Sequence, residues 1–140
     1  MKIELSGTPD FHFEAKNPEN GYAFTIGASK SIGGDESGFR PMQVLLTALG
    51  SCSGIDVVNI LKKSRVAFDS IEIEVDGDRK KDATPAPFTH IRALFRVRGK
   101  NVDKAKVEKA VSLSIEKYCS VVASLDPAIK IETVTEIVES

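Results

Sequence analysis

Two cysteines, Cys52 and Cys119, are the residues of this sequence best equipped for chemistry. A thiolate is a nucleophile, and a sulfenic acid formed on one cysteine condenses with a second thiol to a disulfide. Cys52 lies in Ala48-Leu49-Gly50-Ser51-Cys52-Ser53-Gly54, within a stretch where apolar residues recur at helical spacing. Each glycine inside a helix costs about 1 kcal/mol relative to alanine. Small residues admit a close neighbour, so Cys52 is expected where two helices touch or where a pocket floor stays open. Cys119 lies beside the apolar stripe of a second helix, near its C-terminal end. Free cysteine is also among the most buried residue types, and packing is the competing reading of both.

A reactive thiol needs a cation, a helix N-terminus or a metal to lower its pKa. Cys52 sits mid-helix, and Asp56, one turn on, opposes ionisation if it faces the thiol. Arg40, just before the helix, is the nearest candidate cation in sequence. Two cysteines alone do not complete a zinc site, and His12 and His90 have no ligand spacing to them. Neither metal nor cofactor is therefore expected, and both histidines read as structural.

The elements that must position these thiols follow from pattern and punctuation. Phe11–Ala15 and Tyr22–Ile26 alternate as strands around Asn17-Pro18-Glu19-Asn20-Gly21, a hairpin turn signal. A Gly- and Ser-rich loop over Ser29–Gly38, with Gly33-Gly34-Asp35, reads as a flexible segment over a cleft. Pro41 opens a helix of about 25 residues, roughly 37 Å long. Leu45, Ala48, Leu49, Cys52, Ile55, Val58 and Leu61 form its apolar stripe, and Lys62, Lys63 and Arg65 suit its C-terminal dipole. Strands are expected over 71–76 and 91–98, with acids facing arginines if the two are neighbours. A second helix runs from about Asp103, its N-cap, to about Ala123, and a last strand covers 129–134. Grouped strands with separated helices make an α+β fold in the order ββ-α-ββ-α-β, one domain over residues 1–140.

The 140 residues carry a formal charge of −1, no Trp and two Tyr, which disfavours nucleic acid as a partner. The short run Arg79-Lys80-Lys81 reads as solvated surface. Met1–Ser6 has no apolar signal-peptide core, and Val44–Leu61 is interrupted by polar residues, so the expectation is no membrane span and a cytoplasmic location. Thiols there are mostly reduced, and disulfides are transient and catalytic.

The segment from Phe39-Arg40-Pro41-Met42-Gln43 through Ala48-Leu49-Gly50-Ser51-Cys52-Ser53-Gly54 to Val58 resembles the first cysteine helix of the OsmC/Ohr family. These are the osmotically induced and organic-hydroperoxide-resistance proteins. Ile115-Glu116-Lys117-Tyr118-Cys119-Ser120-Val121-Val122 is similar to the family's second cysteine segment, and the likeness extends over nearly the whole chain. The resemblance implies an intertwined α+β homodimer, with two long central helices packed against antiparallel sheets. It implies that Cys52 attacks the peroxide and becomes a sulfenic acid, that Cys119 resolves it as a disulfide, and that a dithiol reductant reopens the bond. The substrate would be an organic hydroperoxide or hydrogen peroxide, in oxidative-stress defence. Peroxidase members carry a Glu soon after the helix-opening Pro, paired with an activating Arg from the N-terminal hairpin region. Here Met42 and Gln43 follow Pro41, and no Arg precedes Arg40, which is left as the substitute. The alternative is the same fold serving as a small-molecule binding or stress-related protein without peroxidase activity.

Overall fold

The structure is a computed structural model that describes residues 1–140. Its contacts gather into two compact units, Met1–Leu45 and Leu46–Ser140.

The first unit holds an antiparallel sheet in the order β1-β2-β3, formed by β1 (Glu4–Gly7), β2 (Phe13–Lys16) and β3 (Ala23–Ile26). The hairpin expected around Asn17–Gly21 is the β2–β3 connection. Asn17 N–H bonds the Tyr22 carbonyl at 2.8 Å, and Gly21 takes the positive φ of 79° that the turn requires. The strand β1 escapes the sequence pattern because its four residues are exposed on both faces and show no buried alternation. A short 3₁₀ turn, Lys30–Ile32, interrupts the glycine-rich loop. That loop is tied to the strands by His12, whose Nε2 lies 3.0 Å from Asp35 Oδ1 and 2.8 Å from Ser37 Oγ.

The second unit holds a sheet in the order β4-β5-β6, from β4 (Ser70–Arg79), β5 (Phe88–Gly99) and β6 (Lys130–Glu139). The β4–β5 pair is antiparallel, but β5–β6 is parallel, so this sheet is mixed rather than antiparallel throughout. Two adjacent parallel strands need a long crossover, and the segment between Gly99 and Lys130 supplies it. Acid–arginine pairing across the sheet is present: Arg96 bonds Glu74 of β4 at 3.2 Å and Glu136 of β6 at 2.9 Å, and Arg92 pairs with Asp76 and Asp78.

The long helix α1 (Pro41–Lys63) starts at the end of the first unit and continues through the start of the second. Its buried side is Leu49, Gly50, Ser53, Gly54, Val57 and Leu61, displaced from the stripe read in the sequence. Ile55, counted in that stripe, is 70% exposed. The shift has a steric cause. A Cβ at Gly50 would stand 2.9 Å from Val75 Cγ2, and one at Gly54 would stand 2.5 Å from Ile73 Cδ1. Gly50 and Gly54 thus let the helix approach β4 closely. Val57 and Leu61 then join Phe95 and Val97 of β5 in the core, with Val107, Ala110 and Val111 of α2 (Lys104–Leu113).

The α1 segment is long and apolar enough to cross a membrane on length and composition alone, contrary to the sequence expectation. Its serines, threonine and asparagine dilute the apolar character only slightly, and Asp56 is the one charge before Lys62. One third of its most apolar window is buried within the chain.

The ion pair with Asp35 raises the His12 pKa, and the same bond, with the Ser37 N–H, lowers that of Asp35. The pair therefore holds the loop fully above the ordinary carboxylate range and below the ordinary imidazole pKa. It is lost as pH rises through the elevated pKa of His12. An NMR titration of the His12 ring should give a pKa above 6.5, and Asp35→Asn should return it toward that value.

Candidate functional site

Sequence periodicity reads Asp103–Ala123 as one helix, and the structure breaks it. Asp103 caps α2 by accepting from Lys106 N–H at 3.3 Å, and α2 stops at Leu113. A π-helical turn, Ser114–Tyr118, follows, and the Cys119 N–H bonds the Ser114 carbonyl five residues back at 2.8 Å. Cys119 itself is extended, with φ −70° and ψ 105°, and caps a short final helix, α3 (Ser120–Ser124). No glycine or proline lies between Lys104 and Asp126, so propensity does not cause the break. Two side-chain bonds flank it. Ser114 is fully buried and its hydroxyl donates to Asp56 Oδ2 at 2.8 Å. Ser53, also fully buried, donates to Cys119 Sγ at 3.4 Å. Such π turns recur at functional sites.

The result is a compact cluster in the second unit. The two sulfur atoms and a carboxylate oxygen of Asp56 all lie within 4.8 Å of one another. Cys52 and Asp56 are one turn apart on α1 and project to the same side. Cys119 is buried and Cys52 is half-buried; both are free thiols. Cys119 Sγ also accepts from Val122 N–H at 3.5 Å. The sequence reading joins Cys52 with Cys119, and the structure places them together. It leaves open whether Asp56 faces the thiol, and the carboxylate does. It misses Ser53 and Ser114; their only trace is a pair of hydroxyl residues on otherwise apolar helix faces. Arg40 lies in the first unit, where its backbone N–H donates to Gln43 Oε1 at 2.9 Å.

The Val121 N–H is the largest influence on Cys52 and favours the thiolate, helped by the Ser120 N–H. Burial and the neighbouring Cys119 thiol act the other way and together prevail, so the Cys52 pKa is raised. An open groove of about 580 Å³ runs along α1, lined by Ser51, Gly54, Ile55, Val58, Asn59 and Lys62, with Ile71 of β4.

A thiol on a glycine-bearing helix, a second thiol at a helix break and the surrounding α+β frame define an OsmC-like protein. Residues 33–134 match the OsmC-like protein family, and the chain belongs to it. YhfA of Escherichia coli (strain K12) is 44% identical over 98 residues, which is 70% of this chain and 72% of that protein. A protein from Aquifex aeolicus VF5 is 34% identical, with a TM-score of 0.84 over 99% of this chain and 96% of its own. The organic hydroperoxide resistance protein OhrB of Bacillus subtilis superposes with a TM-score of 0.66 at 17% identity, covering 98% of this chain and 96% of its own, a likeness of fold.

Since Cys119 lifts the Cys52 pKa, its removal should lower it. The alkylation rate of Cys52 should rise with pH well into the alkaline range, and Cys119→Ala should shift that profile to lower pH. An unshifted profile would mean the two thiols do not interact in solution.

Proposed function

We propose that this protein is a thiol-dependent peroxidase acting on organic hydroperoxides or hydrogen peroxide in oxidative-stress defence. The observation that carries the reading is the approach of the two sulfurs to within 4.8 Å, one half-buried and one buried. The Cys52 thiolate attacks the distal peroxide oxygen, the O–O bond breaks, and the alcohol (or water) leaves with a proton. Cys52 is then a sulfenic acid. The Cys119 thiol attacks its sulfur, water leaves, and a Cys52–Cys119 disulfide remains. A dithiol reductant returns both thiols by exchange and is itself oxidised to a disulfide. The Val121 N–H supports the thiolate, and Arg40 is the proposed cation. The buried position of Cys119 suits a resolving thiol that waits for an intermediate rather than meeting peroxide first. The cytoplasm, where thiols are kept reduced, is the proposed compartment.

One stoichiometric addition of cumene hydroperoxide to the reduced protein should consume both thiols as one intramolecular disulfide, read by intact mass. In Cys119→Ser, a dimedone-trappable sulfenic acid should persist on Cys52, and Cys52→Ser should abolish turnover. Thiols that stay reduced would favour the second reading, a small-molecule binding protein. The raised Cys52 pKa and the presence of Met42 and Gln43 after Pro41 speak for that reading.

We propose also that the protein is a homodimer. An apolar helix only one-third buried supports this, as do exposed Ile55 on α1 and exposed Leu5, Phe13, Tyr22 and Phe24 on the first sheet and its hairpin. Solution mass should be twice the 15.2 kDa of one chain; a monomer would overturn the assignment.

A further inference from the structure

We propose that Cys52, Cys119 and Asp56 form a binding site for a thiophilic divalent cation of the zinc class. Sequence spacing offers only two ligands, but the fold adds a third. The two sulfurs and an Asp56 oxygen lie within 4.8 Å of one another. Two thiolates bound at about 2.3 Å to one tetrahedral ion stand about 3.8 Å apart. Side-chain shifts on the order of 1 Å therefore bring the three donors to ligand distances. Cys52 and Asp56 are at i and i+4 on α1, the spacing by which one helix face supplies two ligands to zinc.

The surroundings are those of a supported metal site. Ser114 Oγ donates to Asp56 Oδ2 at 2.8 Å and fixes the carboxylate, which keeps lone pairs for a ligand. Ser53 Oγ and the Val122 N–H donate to Cys119 Sγ at 3.4 and 3.5 Å, contacts that persist on a thiolate. Such outer partners orient first ligands and hold their charge. Three anionic donors leave one tetrahedral position for water or an exogenous ligand. Binding displaces the thiol protons, so affinity rises with pH. Disulfide formation consumes both thiolates that would hold the ion. The metal-loaded and disulfide states are therefore mutually exclusive, whichever reaction the thiols perform.

The test uses the full-length reduced protein under anaerobic conditions, titrated with Zn²⁺ against a chromophoric chelator and with no peroxide present. One ion per chain should bind, with proton release and protection of both thiols from alkylation. Asp56→Asn, which retains an acceptor for Ser114, and Ser114→Ala should each weaken binding about 10- to 100-fold. Circular dichroism identifies any variant that fails to fold, and the other then decides the matter. Absence of stoichiometric uptake, or equal affinity in the folded variants and the wild type, overturns the proposal. A protein that binds Zn²⁺ but consumes no peroxide keeps this site and loses the peroxidase reading; the reverse result does the opposite.

Discussion

The single interruption between Leu113 and Ser120 governs the chemistry of the second unit. A continuous helix would satisfy its own N–H groups and leave Cys119 with the direction that helical periodicity dictates. The π turn ends that ladder, and extended backbone at Cys119 starts a new helix. The start of any helix has N–H groups without internal partners. Here those of Ser120, Val121 and Val122 serve the two sulfurs. The break thus brings the second thiol to the first and gives the pair its backbone donors.

Opposed forces meet at this pair. Backbone donors favour charge on Cys52, while burial and a second thiol disfavour it, and the second effect prevails. Proximity and ionisation are in conflict, because the neighbour that makes bridging possible also suppresses the thiolate. Any external cation would shift that balance, and a metal ion resolves it outright by replacing both protons.

Much of the fold was legible in the sequence because its signals are local. Asn17–Gly21 marks the hairpin, Pro41 the start of α1 and Asp103 the cap of α2, and each acts on backbone within a few residues of itself. Cys52 too stood out, as a thiol between two mid-helix glycines. What was not legible depends on distant partners. The parallel pairing of β6 with β5 follows from a crossover that no dipeptide encodes. The buried face of α1 was misread because glycines score poorly in an apolar stripe, yet their lack of a side chain is what seats them against Ile73 and Val75. Ser114 looks like an ordinary helix residue until Asp56, which it bonds, is placed beside it.

The π turn has a consequence for how such a site is inherited. A loop closed from residue 119 to residue 114 holds one residue more than an α-helical loop. Deleting one residue there would restore a smooth helix and swing everything beyond it by about 100° around the axis, with Cys119 carried away from its partner. The pairing of these thiols is thus a trait of chain length as well as of residue identity. Among descendants of a common ancestor it can be gained or lost by a one-codon insertion or deletion, with both cysteines still in place.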